Sequence, residues 1–132
     1  MPQRTPFRFE KLNVWHAART LARDVYALTR SFPKDELFGL TSQLRRAAVS
    51  VSTNIAEGVG RNSDADYAHF LEIAYGSAQE TASLLYVSSD AGHVAEAERE
   101  RLLQLIFELS NQLNALHRTL EVPRSAKTPF RR

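Results

Sequence analysis

The sequence predicts an all-α protein: an antiparallel up-down-up-down four-helix bundle that assembles as a homo-oligomer. Three observations lead there. Apolar residues recur at spacings of three and four over four stretches of roughly 20 residues each, the period of amphipathic helices. Short segments rich in Pro, Gly and Ser separate those stretches, and short turns between helices favour neighbours packed side by side. The second and third stretches also carry almost no charge on the sides turned away from their apolar stripes. Such a helix is buried on more than one face, and in a chain of 132 residues the second cover calls for another subunit.

In chain order, residues 1–9 hold Pro2 and Pro6, lack periodicity and read as a flexible lead-in. The first helix is expected from about Asn13, with Val14, Ala18, Leu21, Val25, Leu28 and Phe32 on one face and Pro33 as its stop. On the opposite face His16, Arg19, Arg23 and Arg30 project together as a basic ridge, with Asp24 to one side and Lys34 just beyond. Trp15 and Tyr26 border the apolar stripe and read as packing residues rather than a platform for stacking bases.

The second helix is expected to be entered through Asp35-Glu36-Leu37, since acids suit the positive end of a helix dipole. It should end at Gly58 to Gly60, where glycine can take the left-handed backbone that terminates helices. Its core stripe is Leu44, Ala48, Val51 and Ile55. Beside that, across Ala47, runs a polar line of Gln43, Ser50, Asn54 and Glu57, and only Arg45, Arg46 and Glu57 are ionised between Thr41 and Gly60.

Ser63 with Asp66 resembles an N-terminal cap for the third helix, Asp being a shorter partner than the usual Glu or Gln. That helix carries Tyr67, Leu71, Ala74, Ala78 and Leu85 on its main stripe and Ile73, Ser77, Glu80 and Leu84 on the neighbouring line. Gly76 in mid-helix costs about 1 kcal/mol relative to Ala, so it is expected where another backbone comes close. Ala91-Gly92-His93 ends the element. The fourth helix, from about Ala95, shows Leu102, Ile106, Leu109, Leu113, Leu116 and Leu120 on one side and Glu96, Glu100, Gln104, Asn111 and Arg118 on the other. The bundle is thus expected to span residues 10–121, followed by a basic, disordered tail over 122–132 that lacks acids and periodicity.

Composition narrows the chemistry. With no cysteine, disulfides, thiol catalysis and zinc fingers are excluded, and a reducing cytoplasm is the expected compartment. No apolar run approaches the ~20 residues of a membrane span and no secretory h-region follows Arg4, so no membrane is expected as a partner. The net charge of +2 is unevenly spread: Arg4, Arg8, Arg124, Lys127, Arg131 and Arg132 lie in the terminal segments, and the remainder is net acidic.

No catalytic constellation emerges. Di-iron bundles use a Glu-x-x-His motif on each of two helices, and the nearest approaches here are Asp66-x-x-His69 and Asp90-x-x-His93, while His16 and His117 have no carboxylate at that spacing. No nucleophile elbow is present, so a non-enzymatic protein without metal or cofactor is expected. The polar line of Gln43, Ser50, Asn54, Glu57, Ser77 and Glu80 reads as a buried hydrogen-bonded network that fixes subunit register, with Arg45 or Arg46 as the partner of Glu57 across a packed pair. Together with Gly76, these are the expected oligomer contacts. The sharper functional expectation is binding of RNA or DNA through His16, Arg19, Arg23, Arg30, Lys34, Arg124, Lys127, Arg131 and Arg132, multiplied by repetition in the oligomer. The rival expectation is a structural or adaptor oligomer that binds another protein.

One stretch is also familiar. QLRRAAVSVSTNIAEGVGR, preceded by FPKDELFGL and followed by IAYGSAQET, resembles the bacterial four-helix-bundle family first associated with intervening sequences in large-subunit ribosomal RNA genes. The similarity runs from about Phe9 to Leu120, and its most specific elements are Asn54-Ile55-Ala56-Glu57-Gly58 and Gly76-Ser77 with Glu80. Val51 stands where isoleucine or a similar aliphatic is expected. The resemblance implies a homo-oligomer of up-and-down bundles, a pentamer in known relatives. More distantly the chain is similar to the accessory protein of diversity-generating retroelements, a pentameric bundle that binds nucleic acid and a reverse transcriptase, although a shared fold does not transfer function.

Overall fold

Four α-helices make up the body of the protein: α1 (Asn13–Thr29), α2 (Leu40–Val59), α3 (Asp64–Asp90) and α4 (Glu96–Arg118). The computed structural model describes residues 3–122, and no strand occurs among them. Each helix packs against the next, and α4 returns to α1. Side-chain contacts set the directions. Arg45 near the start of α2 reaches Thr29 at the end of α1 at 2.8 Å, and the amide of Glu121, after α4, reaches Asp64 at the start of α3 at 2.9 Å.

The predicted stripes form the core. Leu21, Leu44, Ile55, Leu71, Leu85, Leu102, Leu109 and Leu113 are wholly enclosed, with Val14, Ala18, Val25, Ala48, Val51, Ala74 and Ala78 around them. Burying each large aliphatic chain contributes about 1.5–3 kcal/mol, so one stripe per helix is enough to hold the four together. Trp15 packs half-buried against Phe9, their rings 4.7 Å apart.

Helix ends depart from expectation in two places. The acids Asp35 and Glu36 do not open α2. Residues Lys34–Glu36 form a single turn of 3-10 helix, and α2 begins only at Leu40. Glu36 still caps the helix from outside: its carboxylate accepts the Leu40 amide at 3.2 Å, and a Cβ on Gly39 would stand 2.7 Å from that same oxygen. At the other end, Gly58 to Gly60 do not adopt the left-handed backbone. Gly58 lies inside α2, and Gly60 has φ −81°. The left-handed glycine is Gly92, φ +84°, after α3.

Within the chain, the close helix approach falls at Gly58. A Cβ there would lie 2.8 Å from the Phe70 Cβ and 3.2 Å from the Tyr67 ring, so the bare glycine lets α2 and α3 converge. A Cβ added at Gly76 would have no described atom within 4 Å beyond its own helix backbone and chain neighbours. The Ser63 cap forms as read, its hydroxyl accepting the Asp66 amide at 3.1 Å.

Ahead of α1, Arg8–Lys11 form another turn of 3-10 helix. Arg4 grips the Glu10 carboxylate with two hydrogen bonds at 2.8 and 2.9 Å, and Phe7 stacks on Phe9 with 5.4 Å between ring centres. Residues 4–9 are thus tied to this 3-10 turn, and Phe9 meets Trp15 at the start of α1.

Candidate functional site

The helical period places His16, Arg19, Arg23 and Arg30 along one exposed line of α1, as the sequence implies, with exposed Lys34 beyond. The ridge is not uniform. His16 donates from Nε2 to the Glu10 carbonyl at 2.7 Å, and the Arg19 guanidinium lies over the Trp15 ring, 5.6 Å from its centre. Arg23 stands 3.5 Å from Asp24. Asp24 in turn is held at 3.2 Å by Arg101 of α4, which also pairs with Glu98 at 2.6 Å. These two carboxylates hold the Arg101 guanidinium above its already high ordinary pKa. Arg124, Lys127, Arg131 and Arg132 lie outside the described residues.

Beside the ridge, an open cleft of about 830 Å³ runs along the outer side of α2, bordered by Tyr26 of α1, Phe38 of the preceding turn and Glu80 of α3, with Arg45, Arg46 and Asn54 among the α2 residues that line it. On the other side of Arg45 lies a second hollow of about 480 Å³, lined by Thr29, Arg30, Lys34 and Leu37 among others. Arg45 is fixed between them. Its Nε donates to the Thr29 hydroxyl at 2.8 Å, that hydroxyl donates to the Val25 carbonyl at 2.7 Å, and the guanidinium lies 4.6 Å from the Tyr26 ring centre. Tyr26 is thus an exposed wall of the cleft (41%), not the packing residue the sequence indicated. The structure gathers Arg30 and Lys34, read as nucleic-acid contacts, with Arg45 and Arg46, read as oligomer contacts, on one surface.

The expected polar network divides. Ser50 and Ser77 hydroxyls meet at 2.8 Å between α2 and α3, and the Asn54 amide donates to the Ser50 carbonyl and hydroxyl at 2.8 and 2.9 Å. These three residues are satisfied within one chain. Gln43 and Glu80 instead line the cleft, exposed. Within the chain Glu57 faces Arg61, one turn further on, at 3.8 Å, while Thr29 and Tyr26 hold Arg45 at the other end of α2. The outer side of α3 is sparsely charged, with Ile73 and Val87 39% and 48% exposed on either side of Gly76.

Two histidine–carboxylate pairs escaped sequence reasoning. Buried His117 meets Glu72 at 2.8 Å, joining α4 to α3, and His93 meets Glu36 at 3.0 Å, tying the α3–α4 turn to the α1–α2 connection. The His93 hydrogen bond, then the Leu40 amide, hold Glu36 below the ordinary carboxylate range. Arg4 and the Phe7 amide do the same to Glu10, bringing it to about 2. The members of each histidine pair are 45 or 57 residues apart, so no local spacing announces them. Among the described residues no group of three or more His, Asp or Glu is placed to hold a metal. No helix among them is long and apolar enough to cross a membrane.

Comparison with known proteins follows the same lines. A crystal structure from Bacteroides thetaiotaomicron, described as a protein with unknown function from the S23 ribosomal protein family, superposes with a TM-score of 0.71 at 21% identity, covering 79% of this chain and 97% of that one. At that identity the likeness concerns the fold. No curated protein matches the sequence. The sequence profile of the family described as 23S rRNA-intervening sequence protein matches residues 10–115, from the turn before α1 almost to the end of α4, and the chain belongs to that family.

Proposed function

We propose that this chain is a non-enzymatic cytoplasmic protein that forms a small homo-oligomer and binds nucleic acid, RNA or DNA, through its basic α1–α2 surface. The observation that carries the reading is the gathering of Arg30, Lys34, Arg45 and Arg46 around two neighbouring hollows that share Arg45, where Glu80 is the one acid among the lining residues. Arg19 and Arg23 extend the same side along α1. Cations placed in this way attract phosphates without reading bases, and each phosphate contact releases counterions, so attachment weakens steeply with salt.

Oligomerisation supports the binding by repetition. The α3 strip of Ile73, Gly76 and Val87 offers apolar contact and, at Gly76, room for a second backbone. Five copies are what the family resemblance implies. Each copy would add its own ridge, and linked weak sites raise avidity without new contacts.

Fluorescence anisotropy with labelled RNA and DNA over a salt series tests the function. Affinity is expected to fall with a steep log–log slope, and reversal of Arg19, Arg23 and Arg30 to Glu to lower it more than about tenfold while flattening the slope. No binding at low salt, or affinity untouched by the reversal, removes the reading. One feature favours a second reading, an adaptor for another protein: Phe107 is 61% exposed beside a groove of about 550 Å³ between α3 and α4 that also holds Tyr75 and Leu103. Under that reading Phe107→Glu abolishes capture of the protein partner and leaves nucleic-acid affinity unchanged.

A further inference from the structure

The cleft along α2, between Tyr26 of α1 and Glu80 of α3, contains more than a phosphate needs. Phosphates are satisfied by cations and amides alone, yet two aromatic rings stand here among the cations. Phe38 is 93% exposed, in the turn before α2, and Tyr26 is 41% exposed on α1. Leaving a phenylalanine ring in water forgoes burial worth about 1.5–3 kcal/mol, although the same fold encloses eight large aliphatic chains. Arg45 supplies a third flat group, anchored by Thr29 and set over the Tyr26 ring. Gln43 adds an exposed amide to the wall.

Duplex nucleic acid has no use for such groups, because its bases are already paired and stacked. Unpaired bases do: they stack on aromatic side chains and on arginine guanidinium planes and expose edges for hydrogen bonding. Glu80 fits the same picture. A carboxylate in a basic cleft repels phosphate, but it accepts a hydrogen bond from an exocyclic amino group such as that of cytosine. With about 830 Å³, the cleft lies within the usual size range of ligand pockets, about 300–1,000 Å³.

We infer that this cleft takes unpaired nucleobases of a single strand, with Phe38 and the Arg45–Tyr26 pair as stacking surfaces and Arg30, Lys34 and Arg46 on the flanking phosphates. The inference rests on the nucleic-acid reading above and narrows it to single-stranded segments. Phosphates held along the α1 ridge lead the strand to the cleft, and base stacking there makes the attachment selective for unpaired sequence.

The test uses full-length protein and short oligonucleotides carrying one 2-aminopurine, as single strands and as duplexes, in both RNA and DNA. Single strands are expected to bind at least about tenfold more tightly than duplexes, with a change in 2-aminopurine fluorescence on binding. Phe38→Ala, which removes a side chain the core does not use, should weaken single-strand binding about tenfold and leave duplex binding unchanged. The RNA and DNA arms show whether the 2′-hydroxyl contributes. Equal affinity for both forms, with Phe38→Ala altering neither, overturns the stacking site while leaving the basic surface intact. Absence of binding to either form at low salt overturns both. If Phe38→Ala instead lowers the oligomer mass in light scattering, or abolishes binding to anionic phospholipid vesicles while oligonucleotide affinity is unchanged, the ring serves another copy or a lipid surface and the inference fails.

Discussion

Gly58 and Glu36 show how single residues set the fold. The missing Cβ of Gly58 is where α2 and α3 converge, with Phe70 Cβ 2.8 Å from the place a methyl group would occupy. Alanine there gains about 1 kcal/mol of helix propensity but forces two helices apart, an overpacking that costs about 1–3 kcal/mol. Gly58→Ala is therefore expected to lower stability by about 1 kcal/mol in denaturant titration; a rise would contradict the close approach. Glu36 makes a pH prediction. Its pKa is depressed in the folded protein, chiefly by the His93 hydrogen bond, so its contribution is fully present above the unfolded carboxylate value near about 4.3. That contribution is lost as pH falls through the lower, folded value. The stability difference between wild type and Glu36→Gln should accordingly shrink as pH falls below about 4, followed by urea unfolding from about pH 5 downward.

At the scale of elements, the apolar stripes were legible because a core face repeats every three to four residues, and all of Leu44, Ala48, Val51 and Ile55 are enclosed. The ridge on α1 was legible for the same reason. Legibility failed where a feature depends on two segments at once. Asp35 and Glu36 resemble a helix start, but Glu36 caps α2 from across a turn and also takes His93. Glycines after a helical stripe resemble a stop, yet Gly58 is a contact with α3. The cleft was hidden because Tyr26, Phe38 and Arg46 come from three places in the chain and meet only after α1 and α2 pack. The outer side of α3 supplies the prediction at this scale. A side chain at Gly76 would meet no other described part of the chain within 4 Å of its Cβ, so Gly76→Leu should leave the bundle folded, checked by circular dichroism, while reducing the mass measured by light scattering. An unchanged mass places the contact between copies elsewhere.

For the whole molecule, the proposed surface depends on repetition. A single chain presents Arg19, Arg23, Arg30, Lys34, Arg45 and Arg46 on one side, enough for a handful of phosphate contacts at most. Strong attachment comes from several such sides held together, and the low charge of the α3 strip is the reason to expect that they are. The sequence carried this idea further than one chain's packing does, since Ser50, Ser77 and Asn54 are satisfied internally and make no demand for a second copy. What remains is Ile73, Gly76 and Val87, exposed on a line whose one charged residue is Glu80. Multi-angle light scattering on the purified protein across a concentration series tests this most directly. The expected result is a stable mass at a whole-number multiple of 14.9 kDa, and a folded species that stays at 14.9 kDa at the highest concentration would contradict it.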